Sequence, residues 1–253
     1  MTARWSVLAG STSGGAHARS LVSGQDAYAA REVGGTLVLA IADGAGSAAC
    51  AGVGASLIVS LAVRIFARSL RGGPPGNAAQ WTSLLRTGPD RLIRRFSRTA
   101  TALTRAAGDL RPADLATTVT VVLAAPPWVA VFAVGDGFVV TRGRNGDLDL
   151  LLPPPDGTDR GLGLTGLLPG ADGRRLVANL PGLTGLAAGT DGLDSMLIEY
   201  ARSRPLRPGS APFGQLFAMV DGPDELALTR LLAGRQVAAL TDDDRTLVLA
   251  VPR

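Results

Sequence analysis

Four short aspartate motifs, each at the expected end of a β-strand, constrain the fold of this chain more than any other feature. The motifs are Gln25-Asp26, Asp43-Gly44, Asp191-Gly192 and Asp243-Asp244. Apolar runs lead into the second and third motifs, and an aspartate followed by glycine at such a point places a carboxylate on a tight turn at the end of a sheet. These segments are far apart in sequence, so their carboxylates meet only in the folded protein. Clustered oxygen ligands suit Mg²⁺ or Mn²⁺, and two such ions would indicate phosphoryl chemistry.

The composition is that of a globular protein. The chain has 253 residues, of which 46% are hydrophobic and 18% charged, and we expect one domain over residues 1–253. The formal net charge is +4, and all 25 basic residues are arginine. A basic stripe at helical spacing carries no interleaved aromatic residues, so we interpret it as a solvated helix face and expect no nucleic-acid partner. The stripe consists of Arg91, Arg94, Arg95 and Arg98.

The sequence predicts a soluble, cytoplasmic and monomeric protein without a membrane segment. The first residues contain too short an apolar stretch for a signal peptide, and the apolar run Val53–Val63 is too short to span a bilayer. The single cysteine, Cys50, excludes an internal disulfide and is interpreted as a small buried residue.

Apolar periodicity predicts an antiparallel α+β architecture, because strands and helices come in separate groups instead of alternating one for one. The expected strands are 5–9, 27–31, 36–42, 117–124, 128–136, 137–143, 147–153, 175–179, 183–188 and 246–251. We expect one helix over 47–70, capped by Ser47, and a second over 78–107, with Gly88-Pro89 as the point where it would break. Helical pieces are expected from Asp191 to about Arg235.

Two kinds of segment are interpreted as connections. Asp136-Gly137 and Asp221-Gly222 are interpreted as ordinary turns, because Asp-Gly is a common turn dipeptide. The segment 153–173 is rich in proline, glycine and aspartate, and we interpret it as a long loop that forms a substrate-facing flap.

In their order along the chain, these motifs resemble the metal-dependent serine/threonine phosphatases of the protein phosphatase 2C type, and specifically their compact bacterial members. The matching segments are 25–27 (QDA), 41–48 (IADGAGSA), 117–118 (TT), 134–137 (VGDG), 190–192 (TDG) and 243–251 (DDRTLVLAV). Each motif alone is weak, but six in order, covering nearly the whole chain, are specific. The resemblance implies a four-layer α-β-β-α sandwich with two central antiparallel sheets and two Mn²⁺ or Mg²⁺ ions at one end.

The resemblance also implies a set of ligands. Asp43 would bridge both ions, the carbonyl of Gly44 would bind one of them, and Asp191 and Asp243 would hold the other. Asp26 would reach the site directly or through water, and a water bridging the ions would attack the phosphorus of phosphoserine or phosphothreonine. The full implied set is Asp26, Asp43, Gly44, Asp191, Asp243 and, beside the last of these, Asp244.

The chain departs from the family at positions expected to bind the substrate phosphate and to lie near the metal ions. Leu21 stands where the family commonly has a phosphate-clamping arginine, and Gln25 stands where it usually has a glutamate. We therefore expect Arg19 or His17 to face the phosphate instead. Ala45 stands where some relatives have a histidine proposed as general acid, so leaving-group protonation would fall to His17 or to metal-bound water.

Three functions remain open at this point. The first is an active phosphatase for phosphorylated proteins, acting with a serine/threonine kinase system, and the metal carboxylates favour it. The second is a catalytically silent binding protein, which the missing arginine and glutamate favour. The third is a small-molecule phosphoesterase, which short loops would permit. Loss of one phosphate clamp predicts poor affinity for small aryl phosphates before it predicts inactivity.

Overall fold

The computed structural model describes residues 4–19, 23–155, 173–222 and 224–253. In chain order, the strands are β1 (Trp5–Thr12), β2 (Ala27–Val33), β3 (Thr36–Ala42), β4 (Val119–Ala125), β5 (Trp128–Val134), β6 (Phe138–Arg142), β7 (Leu148–Leu152), β8 (Arg174–Asn179), β9 (Gly185–Gly189), β10 (Ile198–Ala201), β11 (Arg204–Pro208) and β12 (Arg245–Pro252). The helices are α1 (Gly15–Arg19), α2 (Ala51–Ser69), α3 (Ala78–Ala107), α4 (Asp194–Leu197), α5 (Ser210–Ala218), α6 (Ala227–Leu232) and α7 (Arg235–Ala238). Short 3₁₀ turns cover Pro112–Leu115 and Asp191–Leu193.

Two five-stranded antiparallel sheets form the centre of the molecule. The first has the order β2-β3-β4-β5-β8, and the second has the order β1-β12-β9-β6-β7. Consecutive strands β2 and β3 form a hairpin at Gly34-Gly35, where positive φ values of 56° and 76° require glycine. The chain passes from the first sheet to the second between β5 and β6, so these neighbours in sequence are not partners.

Three apolar layers hold the elements together. Side chains such as Leu39 and Val131 from one sheet meet Val139 and Val248 from the other, and all four are fully buried. Helices α2 and α3 cover the outer face of the first sheet. Helices α4, α5 and α6 cover the outer face of the second. The expected α+β, four-layer α-β-β-α sandwich is thereby confirmed.

The two long helices differ in detail from those predicted from the sequence. Helix α2 begins at Ala51, and its N-cap is Cys50 without a side-chain hydrogen bond, so the prediction that Ser47 caps it is wrong. Helix α3 runs unbroken through Pro89. At Gly88, a Cβ atom would lie 2.4 Å from the Phe66 ring, so the helices pack closely here. This buried packing holds the helix together despite the hydrogen bond that proline cannot make.

A β-hairpin replaces part of the helical region expected after Asp191. Strands β10 and β11 pair across Arg202 and Ser203, both of which have positive φ values, of 50° and 65°. Without glycine at these positions, the sequence carried no local signal for this turn. Residues 156–172 of the expected flap lie outside the described residues.

Helix α2 extends beyond the apolar run Val53–Val63 in both directions, and by length and composition alone it could cross a membrane. It has 19 residues, and half of its most apolar window is buried inside the protein. Ile58, Ala62 and Phe66 are fully buried in the core beside the first sheet. This burial is the behaviour of a core helix in a globular protein.

Candidate metal centre

The aspartate motifs converge at one end of the sandwich. Asp26 precedes β2 and Asp43 follows β3, and because these strands are antiparallel neighbours, both aspartates lie at the same end of the first sheet. Asp191 follows β9, and Asp243 lies just before β12, its antiparallel neighbour in the second sheet. Both sheets therefore contribute carboxylates to one site, as their positions at strand ends predicted.

One group of carboxylates close enough to share a metal ion includes a residue that the sequence did not assign to the site. One oxygen from each of Asp43, Asp136 and Asp191 lies within 4.8 Å of the others. Asp136 lies on the crossover from β5 in the first sheet to β6 in the second, between Gly135, with a φ of 105°, and Gly137. Asp136-Gly137 is therefore not a hairpin turn between paired strands, and a role of Asp136 as a metal ligand stays a prediction. The signal that points to Asp136 is its place in the VGDG segment, one of the six ordered motifs.

Burial and mutual repulsion raise the pKa values of three aspartates in this cluster. Desolvation by burial is the main reason that the pKa of Asp43 is strongly raised, and the negative charges of Asp26 and Asp191 add to it. The pKa of Asp26 is also raised, mainly by burial. Burial, with the nearby charges of Asp136 and Asp243, raises the pKa of Asp191 to about 7. Such concentrated, partly buried carboxylates favour either protons or a cation.

The donor set fits a hard divalent ion. The Oδ1 atom of Asp26 is buried and accepts no hydrogen bond within the described part of the chain. Its Oδ2 atom accepts a 2.8 Å hydrogen bond from the Thr190 hydroxyl, which orients the carboxylate. A divalent cation would offset the repulsion among the aspartates and use oxygen ligands of the type that Mg²⁺ and Mn²⁺ prefer.

The backbone around Asp43 is fixed by two threonines that precede β4. The Asp43 N–H donates to the Thr118 hydroxyl at 2.8 Å, and the Asp43 carbonyl accepts from the Thr118 N–H and the Thr117 hydroxyl, each at 2.8 Å. At Gly44, a Cβ atom would lie 2.7 Å from that of Ala51, so only glycine fits. This rigid support holds the Asp43 side chain at the site. The role of the Gly44 carbonyl as a ligand stays a prediction.

Asp244, directly before the last strand, is hydrogen-bonded to the N-terminal loop. Its carboxylate accepts hydrogen bonds from the N–H groups of Gly14 (2.6 Å) and Gln25 (2.5 Å) and contacts His17 Nδ1 at 2.9 Å. Only 1% of the Asp244 side chain is exposed, against 22% for His17. These contacts occupy both carboxylate oxygens and position His17 and the residues before Asp26. A role of Asp244 as a metal ligand stays a prediction.

The remaining predicted site residues lie toward the surface. Asp243 is exposed, and its Oδ1 accepts a 2.8 Å hydrogen bond from the Asp244 N–H. Its charge raises the pKa of Asp43 and Asp191, so it lies close to the cluster. Arg19 makes two hydrogen bonds, of 3.2 and 3.1 Å, to the exposed carboxylate of Asp242. Its role at the phosphate stays a prediction, and Leu21 lies outside the described residues.

Arg174 is a second residue that the sequence analysis missed. It begins β8, and its guanidinium donates to the carbonyls of Gly135 (3.0 Å), Gly137 (3.4 Å) and Pro153. Burial lowers the pKa of Arg174, and the nearby charge of Asp136 opposes that shift. Arg174 therefore holds the crossover that presents Asp136. Its neighbours in sequence carry no motif that would identify this role.

Arg174→Ala should weaken Mn²⁺ binding by roughly 10-fold or more, because groups that position metal ligands typically contribute 10–100-fold to affinity. Calorimetric titration with Mn²⁺ measures this effect. Arg175→Ala is the matched control: its guanidinium donates to the Leu85 carbonyl at 3.2 Å and lies 3.7 Å from Asp90. Equal Mn²⁺ affinity in both variants would show that Arg174 does not position the ligand.

The metal-free protein should lose stability as pH rises from 5 to 8. A carboxyl group whose pKa is raised by folding stabilises the protein fully below its unfolded pKa, about 4, and that contribution is lost as pH rises through the folded value. For Asp191 the folded value is about 7. We expect the melting temperature with chelator to fall over this pH range. We also expect Mn²⁺ to raise the melting temperature by a larger amount as the pH rises. Asp191→Asn should flatten the pH dependence, and an equally steep dependence in that variant would contradict the assignment.

Comparisons with known proteins identify similar sequences and similar folds. The family model described as protein phosphatase 2C matches residues 13–232. Serine/threonine-protein phosphatase 3 of Escherichia coli (strain K12) is 30% identical over 222 residues, which are 83% of this chain and 82% of that protein. The structure of the phosphatase Stp1 from Staphylococcus aureus is 13% identical, with a TM-score of 0.65 and coverage of 98% of this chain and 95% of that one. RsbX, solved in complex with magnesium, is 14% identical, with a TM-score of 0.58 and coverage of 98% and 96%.

Proposed function

Because the chain belongs to the protein phosphatase 2C family, we propose that it hydrolyses phosphoserine and phosphothreonine in proteins by means of divalent ions at the carboxylate cluster. The family and the Escherichia coli relative are serine/threonine protein phosphatases, and this chain is an enzyme of that class. The observation that carries the metal-dependent mechanism is the approach of Asp43, Asp136 and Asp191 within 4.8 Å. We also propose that the enzyme acts in the cytoplasm on the products of serine/threonine kinases.

In this mechanism, Asp43, which follows β3 at the end of the first sheet, would serve as a ligand for both ions. Asp136 and Asp191 would complete one ion's ligands, and the unpaired Oδ1 of Asp26 would serve directly or through water. When bound, two Mg²⁺ or Mn²⁺ ions supply positive charge for the phosphate and an activated water for in-line attack on phosphorus. The magnesium in the RsbX structure supports Mg²⁺ as one such ion. Asp243, at the rim, would act as an outer ligand.

His17 is the residue we assign to the leaving group. Its Nδ1 contacts Asp244, which fixes the ring and favours a proton on that nitrogen. In the doubly protonated ring, Nε2 would then be the atom that donates its proton to the leaving-group oxygen. The partial exposure of the ring, 22%, is consistent with access to a bound substrate.

His17→Asn should lower kcat for a phosphothreonine peptide by roughly 100-fold, the lower end of the usual effect of a general acid. Hydrolysis of p-nitrophenyl phosphate should change little, because nitrophenolate leaves without protonation. The comparison of kcat for the two substrates separates proton donation from structural damage, and asparagine keeps a hydrogen-bond donor beside Asp244. An equal loss on both substrates would contradict the proton-donor role.

The proposed function is tested with phosphothreonine, phosphoserine and phosphotyrosine peptides, p-nitrophenyl phosphate and a set of small phosphate esters, each with Mn²⁺, Mg²⁺ or chelator. We expect metal-dependent hydrolysis of the first two peptides and a high KM for the aryl phosphate. Faster hydrolysis of a small ester than of any peptide would favour the phosphoesterase. A folded, metal-binding protein without turnover would favour the catalytically silent binding protein.

A further inference from the structure

A groove lined by arginines runs between the two long helices that cover the first sheet. It has a volume of about 370 Å³ and continues into an adjoining cavity of about 180 Å³ beside β2. Leu61 and Ile65 provide its apolar lining. The two cavities share two of their arginines, and we call the whole feature the arginine groove. Its arginines are Arg31, Arg64, Arg68, Arg71, Arg91 and Arg95.

Within the described part of the chain, no acidic side chain pairs with an arginine of the arginine groove. All six arginines are exposed, and none forms an ion pair or a side-chain hydrogen bond with the described residues. Helices α2 and α3 together contain eight arginines and a single acidic residue, Asp90, which lies 3.7 Å from Arg175. The whole chain has 25 basic and 21 acidic residues, so the rest of it is net negative. Positive charge is therefore concentrated on this helical face.

The arginine groove is separate from the metal centre. Helix α2 begins eight residues after Asp43 and leads away from it, and Arg64 and Arg68 lie in its C-terminal half. At 1.5 Å per helical residue, Arg64 is about 20 Å along the axis from Ala51. Likewise, β2 runs from Asp26 at the site toward Arg31 near its opposite end. A ligand in the groove would therefore leave the metal centre free.

We propose that the arginine groove docks an acidic segment of a protein partner. The guanidinium group binds carboxylates in a two-pronged geometry, and six of them around a narrow cavity suit several Asp or Glu side chains. The apolar lining at Leu61 and Ile65 suits an aliphatic side chain of the same segment. No aromatic residue lines either cavity, as stacking with single-stranded nucleic acid would require. The apolar lining is small, because Leu61 is only 9% exposed and Ile65 is half-buried, so it suits one aliphatic side chain better than insertion into a membrane.

The test uses two triple variants with the same change in charge. The groove variant carries Arg64→Glu, Arg68→Glu and Arg95→Glu. The control variant carries glutamate at Arg86, Arg98 and Arg105, which are exposed arginines of α3 outside the groove lining. Fluorescence anisotropy measures the binding of a labelled peptide of alternating glutamate and leucine at about 0.1 M salt, where long-range electrostatics are screened beyond about 10 Å. A single-stranded oligonucleotide and phosphatidylserine vesicles are measured in parallel.

We expect the wild type to bind the peptide and the groove variant to lose at least ~10-fold in affinity, with less than ~3-fold loss in the control. Both variants should hydrolyse p-nitrophenyl phosphate at the wild-type rate. Hydrolysis of this small substrate does not depend on docking, so failure of the docking proposal is distinguishable from failure of the proposed phosphatase function. Equal losses in the two variants, no peptide binding, or groove-dependent binding of the oligonucleotide or vesicles in preference to the peptide would overturn the proposal.

Discussion

Asp43→Asn should abolish metal-dependent hydrolysis of phosphopeptides, with a loss of roughly 1,000-fold or more in kcat. The carboxylate lies within 4.8 Å of those of Asp136 and Asp191, and its backbone is fixed by Thr117 and Thr118. Metal ions at such a site supply several kcal/mol of transition-state stabilisation, and each ~1.4 kcal/mol corresponds to a factor of ten in rate. Asparagine keeps the shape of the side chain but removes the charge that a shared ligand needs.

The same variant should be more stable than the wild type in the absence of metal. Burial and the charges of Asp26 and Asp191 strongly raise the pKa of Asp43, so a neutral amide relieves repulsion in the cluster. We expect a higher melting temperature with chelator and a smaller increase with Mn²⁺. Asp149→Asn, at an exposed position of β7, is the control and should leave activity and melting temperature unchanged. A destabilised Asp43→Asn protein that still hydrolyses substrate with Mn²⁺ would contradict both expectations.

Asp136→Asn should reduce Mn²⁺ affinity by roughly 100-fold and lower activity at limiting metal accordingly, because Asp136 contributes one of three clustered carboxylates. Calorimetric titration gives the affinity, and kcat at saturating Mn²⁺ shows how much of the activity returns. This change separates a ligand from an ordinary turn residue more directly than any other in the chain.

The chain supplies a matched control in Asp221, the other aspartate interpreted as part of an Asp-Gly turn. Its side chain is 72% exposed and lies 3.8 Å from Arg253. Asp221→Asn should bind Mn²⁺ with the wild-type affinity. If the two variants show the same affinity, Asp136 is a turn residue and the crossover has no role in holding metal.

Local patterns in the sequence were sufficient for much of the fold. Alternation and turn residues predicted the strands near their observed bounds, and the positions of Asp43 and Asp191 after apolar strands predicted that they would meet. The helix over 78–107 was also predicted at its observed bounds. These features depend on short-range chemistry, which a single sequence records directly.

The features that the sequence did not reveal depend on contacts between distant segments. Asp136-Gly137 looks like a hairpin turn because the apolar runs on either side resemble paired strands, but those strands belong to different sheets. Arg174 donates hydrogen bonds to three backbone carbonyls, and because every residue has a carbonyl, no sequence motif identifies these partners. The hydrogen bonds that Asp244 accepts from the N-terminal loop and its contact with His17 join segments more than 200 residues apart, which no local pattern records. In each case, tertiary geometry determines the role of the residue.

The most direct test of the metal centre is X-ray diffraction from crystals grown with Mn²⁺, measured at a wavelength where manganese scatters anomalously. We predict a strong anomalous peak about 2 Å from carboxylate oxygens of Asp43 and Asp191, with Asp136 as a further ligand and a second peak sharing Asp43. A well-ordered crystal containing Mn²⁺ at saturating concentration but no anomalous peak among these three aspartates would contradict a metal-dependent mechanism at this site.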